Sequence, residues 1–211
     1  MPMPRTKIAA LVEGDGEVEA VPVLIRRMAE ALGFPGGVHV LRPIRVPASR
    51  LLRANELERY IDLAVCKLDG VGGILLLLDS EDECPAVRGP RLKERMAACR
   101  TGLPVGVVLA HREFESWFIG AESSIRGRRG FPKSMSTHPS PESIRGCKEW
   151  LSEQLPRGRV YSPVEDKPAL AAVFDMNESE KHCPSFGKFR RELAGILEGV
   201  KRMDGTSSHE G

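Results

Sequence analysis

The chain has 211 residues and a hydrophobic content of 41%, which is enough to bury the core of one ordinary domain with a helical addition. Its formal net charge at pH 7 is only +2, so overall charge favours no class of partner. Its 5 cysteines include no CxxC pair, which indicates reduced thiols, and no apolar stretch reaches the ~20 residues of a membrane span. These features predict a soluble cytoplasmic protein and exclude a disulfide scaffold or a membrane protein.

Apolar runs without polar alternation predict strands that are buried in a parallel sheet. Four such runs occur in the first half of the chain, at 7–12, 38–44, 73–78 and 103–110. Apolar residues at three-and-four spacing predict helices between them, at 17–32, 55–68 and 91–100. This alternation predicts an α/β fold with a mostly parallel sheet of about four strands, covered by helices on both faces.

The second half of the chain carries helical periodicity only. Predicted helical segments lie at 113–119, 141–155, 168–177 and 184–202. Between the first two, a stretch rich in Gly, Arg, Ser and Pro at 125–141 predicts a loop. We therefore expect an α/β domain at 1–120, a helical extension packed on it at 121–203 and a disordered tail at 204–211.

Carboxylates follow three of the predicted strands at the point where each strand ends. They are Glu13, Asp15, Glu17 and Glu19 after the first, Asp79, Glu81, Asp82 and Glu83 after the third, and Glu113 and Glu115 after the fourth. The carboxyl ends of parallel strands share one edge of a sheet, where ligands bind. Crowded carboxylates repel one another and need a counter-ion, and oxygen ligands select hard cations such as Mg²⁺, Mn²⁺ or Ca²⁺. The pattern predicts a metal site.

Two simpler interpretations of these residues stay open. Acids after a strand are common helix caps, and Glu17 at a helix start complements the helix dipole. Gly14 and Gly16 at a strand-to-helix turn are typical of phosphate-binding loops. However, Glu19 stands in place of the third glycine of a dinucleotide-binding motif, and so many acids would repel a phosphate unless a cation bridges them.

Several motifs resemble those of a known class of nucleases. Glu13-Gly14 followed by Glu17 resembles the E-G-x-x-E opening of TOPRIM domains in overcoming-lysogenization-defect nucleases, and Asp79-x-Glu81 resembles their D-x-D motif. Four segments resemble a bacterial TOPRIM-like family of unknown function that is often encoded beside an AAA- or ABC-type ATPase: VEGDGE, LLLLDSEDECP, AHREFESWFIG and CPSFGKFRREL. The resemblance spans most of the chain.

This resemblance implies a TOPRIM or Rossmann-like sheet and a phosphodiesterase that cleaves DNA or RNA with one or two Mg²⁺ or Mn²⁺ ions. It assigns catalysis and metal binding to Glu13, Asp79 and Glu81, with Glu13 as a general acid or base. Further metal ligands nearby are Glu17, Asp82, Glu113 and Glu115. Two positions depart from the pattern. Glu81 is one methylene longer than the usual Asp, so either Glu81 or Asp82 takes the ligand role, and Gly16 stands where relatives often carry a hydroxyl.

Basic residues supply candidate contacts to a nucleic acid. The predicted loop contributes Arg126, Arg128, Arg129 and Lys133, and the resemblance adds Lys167. A solvated surface is the alternative interpretation of such a cluster. The implied partners are a nucleic acid and an ATPase, in bacterial defence or DNA repair, and assembly into a homo-oligomer is left open.

Three other functions fit parts of the pattern. Asp79 after a buried strand also suits a receiver-like module, but the phosphoacceptor pocket of such a module needs a lysine late in the sheet, where this chain has Glu113 and Glu115. A metal-binding partner subunit without catalysis fits the departure at Glu81. A D-x-D-x-T phosphatase is disfavoured because Glu83 occupies the Thr position.

Overall fold

A parallel sheet forms the centre of the protein. The computed structural model describes residues 6–34, 37–51, 53, 55–99 and 101–207. Within these residues five strands are present: β1 (Thr6–Val12), β2 (Val38–Val40), β3 (Ile44–Arg45), β4 (Gly72–Asp79) and β5 (Val105–Ala110). They stand in the order β2-β1-β4-β5, and β3 pairs with β1 beyond the end of β2. The predicted α/β fold with a parallel sheet is confirmed.

The second predicted strand, at 38–44, is divided in two. β2 pairs with the start of β1, and β3 pairs with its end. Leu41 N–H still donates to Ile8 O at 2.9 Å, but Pro43 has no N–H with which to continue the ladder. The sheet therefore has five strands rather than about four, although β2 and β3 share one position beside β1.

Helices cover both faces of the sheet. In chain order they are α1 (Asp15–Ala31), α2 (Ala48–Leu51), α3 (Glu56–Leu68), α4 (Pro85–Ala98), α5 (Ser116–Ile119), α6 (Glu122–Ile125), α7 (Cys147–Glu153), α8 (Asp166–Ala171), α9 (Met176–His182) and α10 (Pro184–Ser207). α1 and α10 pack on one face, and α3 and α4 pack on the other. None of the helices in the described ranges has the length and apolar character needed to cross a membrane.

Alternate residues of the strands enter two separate apolar cores. Ile8 and Ala10 of β1 face α1 and α10, whereas Ala9 faces α3 and α4. The first core also takes in buried side chains from α6, α8 and α10, so the region 121–203 shares a core with the sheet. α10 continues to Ser207, into the predicted tail, and residues 208–211 of that tail lie outside the described residues.

Two strand glycines allow α10 to approach the sheet closely. A Cβ atom on Gly73 of β4 would stand 2.2 Å from Ile196 Cγ2, and one on Gly106 of β5 would stand 2.9 Å from Ile196 Cδ1. Gly73→Ala therefore forces the Ile196 side chain to move within a filled core. We expect this substitution to lower the free energy of unfolding by about 1–3 kcal/mol, measured by urea denaturation.

Gly195→Ala is the matched control, because Gly195 lies on the exposed side of α10 and a Cβ atom there meets open space. This change should raise the free energy of unfolding by about 0.5–1 kcal/mol, since alanine favours a helix over glycine. A urea midpoint for Gly73→Ala at or above the wild-type value would contradict the close packing of α10 on β4.

Candidate functional site

The predicted site lies where the strand order changes direction. From β1 the chain passes through α1 to β2 and β3 on one side, whereas β4 and β5 lie on the other. In open parallel sheets ligands bind beyond the carboxyl ends of the strands at such a position. Asp79 closes β4 there, Glu13 follows β1 directly, and Glu113 and Glu115 follow β5. The three predicted groups of carboxylates thus meet at one edge of the sheet.

The turn between β1 and α1 needs its two glycines for space. A Cβ atom on Gly14 would lie 2.4 Å from Glu17 Oε2, and one on Gly16 would lie 2.5 Å from the carbonyl oxygen of Pro163. Gly14 therefore leaves room for the Glu17 carboxylate, and Gly16 leaves room for the segment that leads into α8. The approach of the Pro163 carbonyl oxygen therefore favours glycine at position 16.

A lysine from α8 neutralises two of the predicted ligands inside the protein. Lys167 Nζ donates a short hydrogen bond to Glu17 Oε1 and lies 3.0 Å from Glu115 Oε1. Tyr161 also donates its hydroxyl to Glu115 Oε1, at 3.2 Å. The Lys167 side chain is only 1% exposed, so it does not lie on a surface where nucleic acid could reach it. We call Glu17, Glu115, Tyr161 and Lys167 the inner cluster.

The carboxylates of this region raise the pKa of Lys167. Burial alone lowers the pKa of a lysine, but Glu115, Glu17 and Asp79 outweigh it here, so the ammonium stays charged. Lys167 Nζ also lies 5.1 Å from the centre of the Phe114 ring, which adds a cation–π contact. The counter-ion that the crowded acids need is therefore supplied in part by the chain itself.

Asp79 lies in front of the inner cluster and still experiences excess negative charge. Burial first, and then Glu115 and Glu17, raise its pKa well above the usual range, although Lys167 and Lys148 oppose this rise. Its Oδ1 accepts the Phe114 N–H at 2.8 Å. A proton or a further cation at Asp79 would relieve the repulsion.

A second lysine, on α7, connects the two acids that follow β5. Lys148 Nζ donates to Glu113 Oε2 at 2.7 Å and lies 3.8 Å from Glu115 Oε2. Glu113 Oε1 accepts the Cys147 N–H at 2.8 Å, which fixes α7 against the sheet. Burial lowers the pKa of Lys148, but Glu115, Glu113 and Asp79 raise it by more. Glu115 Oε2 is buried and receives no hydrogen bond from the described residues.

An open cavity of about 320 Å³ lies in front of Asp79, and we call it the front cavity. Its lining consists of Asp79, Glu81, Asp82, Arg112, Glu113, Arg145, Gly146 and Lys148. Glu81 and Arg112 both adopt left-handed backbone conformations, with φ of 50° and 65°. Glu81 N–H donates to Arg112 O at 3.0 Å, so the loops after β4 and β5 hold each other in place.

The structure sorts the predicted ligands into positions of different kinds. Four of them line the front cavity: Asp79, Glu81, Asp82 and Glu113. Glu17 and Glu115 lie behind it, in the inner cluster, and Glu13 is half-buried at the end of β1, where its carbonyl oxygen accepts from Arg45 Nε at 3.1 Å. As the side chains stand, no group of three or more His, Cys, Asp or Glu residues in the described ranges is placed to hold a metal ion.

Comparison with known proteins gives one match, to a family whose function is unknown. The sequence model of the domain of unknown function DUF4276 matches residues 12–194, which runs from the end of β1 into α10 and includes every acid described above. The chain belongs to the DUF4276 family. Searches of curated proteins and of solved structures returned no match.

The basic loop of this DUF4276 domain is largely occupied by contacts within the domain. Arg126 pairs with Glu122 at 3.1 Å, and Arg129 pairs with the buried Asp166 at 3.1 Å. Arg128 Nε donates to the carbonyl oxygen of Ser124 at 3.0 Å, and Lys133 is exposed. Contact between this loop and a nucleic acid stays a prediction, and two of its arginines also have a structural role.

Sequence reasoning missed several cations and a phenol of the DUF4276 site. Lys148, Arg112 and Arg145 line the front cavity, and Tyr161 belongs to the inner cluster. The burial of Lys167 could have been predicted from the sequence. Lys167, Leu170, Ala171 and Phe174 follow the three-and-four spacing of a buried helix face. A lysine on such a face needs a buried partner.

Proposed function

We propose that this protein is a TOPRIM-type phosphodiesterase that cleaves DNA or RNA with Mg²⁺ or Mn²⁺. One observation carries the proposal: acids from the ends of β1, β4 and β5 meet at the position where open parallel sheets bind ligands. The raised pKa of Asp79 supports it, because excess negative charge remains after both lysines are counted. The order of the E-G-x-x-E and D-x-E motifs gives independent support.

The oxygen ligands around the front cavity are of the chemical type that a hard divalent cation binds. Carboxylate oxygens are the ligands that Mg²⁺ and Mn²⁺ prefer, and four carboxylates line this cavity: Asp79, Glu81, Asp82 and Glu113. Binding would need Glu81 or Asp82 to move toward Asp79, because the described side chains do not yet surround one point. The bound ion would act as a Lewis acid on the oxygens of the phosphodiester.

The residues of the chain have separate roles in this proposal. Asp79, with Glu81 or Asp82, holds the cation, and Glu13 is the general acid or base at the end of β1. Lys167 holds the Glu17 and Glu115 side chains in place behind Asp79. Because Lys167 is buried, we assign it to positioning rather than to contact with the nucleic acid.

A subunit without catalytic activity is the second candidate. The observation in its favour is Lys167, which already supplies a positive charge between Glu17 and Glu115 and so lowers the demand for a metal. Such a subunit would bind a partner through the same fold. In either case, the family resemblance suggests an AAA- or ABC-type ATPase as the partner, in bacterial defence or DNA repair.

A cleavage assay separates the two candidates. Purified protein is incubated with supercoiled plasmid, single-stranded DNA or RNA, in Mg²⁺, Mn²⁺ or EDTA. We expect cleavage that EDTA abolishes and that Glu13→Gln and Asp79→Asn reduce by a factor on the order of 10²–10³, because the first removes the general acid or base and the second removes a ligand of the cation.

Asp15→Asn is the matched control for this assay. Asp15 is an exposed acid between Glu13 and Glu17 that pairs with Arg45 at 3.1 Å and has no role in the proposal. Its substitution should leave cleavage unchanged. Intact substrates under every metal condition would rule out a nuclease that acts alone and favour the subunit without catalytic activity.

A further inference from the structure

The front cavity combines acids with three positively charged side chains that come from two segments of the chain. Arg112 follows β5, Arg145 precedes α7 and Lys148 lies on α7. We propose that Arg112, Arg145 and Lys148 form a phosphate-binding subsite, and that Asp82 occupies this subsite in the free protein. The inference rests on the proposed function in one respect only, which is that the phosphate belongs to a nucleic acid.

Asp82 binds both arginines as a phosphate would. Arg112 Nη1 makes a short ion pair with Asp82 Oδ1. Arg145 approaches the same carboxylate with two nitrogens, Nη2 at 2.9 Å from Oδ1 and Nη1 at 3.2 Å from Oδ2. An oxyanion held between two guanidinium groups in this way is a common mode of phosphate recognition. The Asp82 carboxylate therefore marks the place of an anion.

Asp82 is a weak occupant that a phosphate can replace. Its side chain is 68% exposed and that of Arg145 is 72% exposed, so their ion pair is of the surface kind, which contributes little to stability. A phosphodiester presents two non-bridging oxygens that share one negative charge, as the two oxygens of the Asp82 carboxylate do, so it can take over the same contacts. The exchange costs the fold little, because other bonds hold the Asp82 loop, including Glu83 N–H to Ser80 O at 2.9 Å.

Two further features favour an anion at this position. Arg112 Nε is buried and donates to no described residue, so the guanidinium keeps a donor unused. Lys148 is partly exposed at the same cavity, where its ammonium donates to Glu113 and lies at the longer distance of 3.8 Å from Glu115. A phosphate held by these three groups would lie beside Asp79, which also lines the cavity and is the proposed metal ligand.

Metal-free binding measurements test the subsite without depending on cleavage. The probe is a fluorescein-labelled single-stranded oligonucleotide in EDTA, and fluorescence anisotropy gives its affinity. We expect Asp82→Asn to tighten binding about threefold to tenfold, because it releases two charged donors. Arg145→Ala should weaken binding and lower the slope of log K against log salt by about 0.7, the value for one phosphate contact on a single strand.

Glu83→Gln and Arg59→Ala are the matched controls. Glu83→Gln makes the same charge change at the next residue, whose side chain pairs with Arg88 at 3.4 Å. Arg59 is an exposed arginine on α3 that pairs with Glu56 at 3.0 Å and has no role in the proposal. Glu83→Gln should not tighten binding, and Arg59→Ala should leave the salt slope closer to the wild-type value than Arg145→Ala does. Unchanged or weaker binding by Asp82→Asn, or equal tightening by Glu83→Gln, would overturn the proposal.

Two versions of the probe distinguish the source of the phosphate. Equal affinity with and without a 5′-phosphate assigns the subsite to phosphodiesters, and tighter binding of the phosphorylated probe assigns it to a terminal phosphate. Both results support a phosphate subsite if Asp82→Asn tightens binding. Binding is measured in EDTA and does not depend on cleavage. Tighter binding by Asp82→Asn, together with no cleavage by the wild type in Mg²⁺ or Mn²⁺, would therefore support the subsite and reject the nuclease.

Discussion

Replacing Lys167 with methionine is expected to lower the free energy of unfolding by about 3–5 kcal/mol, because it leaves two buried carboxylates without their cation. Lys167 is 1% exposed and contacts both Glu17 and Glu115, and the Glu115 side chain is fully buried. Methionine retains most of the volume and removes the charge, so the loss reports on electrostatics rather than on packing. Urea denaturation at neutral pH gives the measurement.

The pH dependence of this loss follows from the pKa of Lys167. That pKa is raised in the folded protein, so the contribution of the lysine is complete below its unfolded pKa of about 10.4 and disappears as the pH rises through the folded value. The free energy of unfolding should therefore differ between wild type and Lys167→Met by the same amount at about pH 7 and at about pH 9. Lys133→Met, at an exposed lysine, should cost less than about 0.5 kcal/mol. Equal losses in the two variants would contradict the role of Lys167.

Asp79→Asn is expected to stabilise the metal-free protein at neutral pH while it reduces cleavage. Burial, Glu115 and Glu17 raise the pKa of Asp79, so its contribution to stability is present below the unfolded pKa of about 3.9 and lost as the pH rises through the folded value. At pH 7 the Asp79 carboxyl therefore costs stability relative to low pH, and asparagine removes that cost. The asparagine carbonyl can still accept the Phe114 N–H.

Thermal unfolding in EDTA measures this effect. Asp79→Asn should raise Tm at about pH 7 and give a smaller increase at about pH 4, where the wild-type carboxyl is protonated. Asp62→Asn, at an exposed acid on α3, should change Tm little at either pH. A lower Tm for Asp79→Asn at neutral pH would show that the Asp79 carboxylate is well solvated or fully neutralised, against the electrostatics described above.

β1, β4 and β5 could be predicted from sequence because each is a nearly continuous apolar run. Gly-Gly-Ile-Leu-Leu-Leu-Leu-Asp predicts a buried strand that ends in an acid, and β4 does so at Asp79. The division of the second strand was less visible, because it depends on one missing N–H, at Pro43. The close approach of α10 could not be predicted, since it depends on the alignment of Gly73 and Gly106 with Ile196, far along the chain.

The acids of the site were visible in the sequence, but their neutralisation was not. Glu13, Asp79 and Glu115 each come shortly after an apolar run, so topology alone brings them to one edge. Lys167 pairs with Glu17 across 150 positions, and no local pattern contains such a pairing. A receiver-like module needs a lysine late in the sheet, and the sequence shows acids there, yet Lys148 and Lys167 reach this edge from helices instead.

Binding of Mn²⁺ at neutral pH tests the central claim most directly, because it asks whether the acids at this edge form a metal centre. Electron paramagnetic resonance counts free Mn²⁺ while wild type, Asp79→Asn and Asp15→Asn are titrated. We predict saturable binding by wild type and Asp15→Asn, and loss of that binding in Asp79→Asn. Absence of saturable binding by wild type, or equal binding by all three proteins, would contradict a metal centre at Asp79.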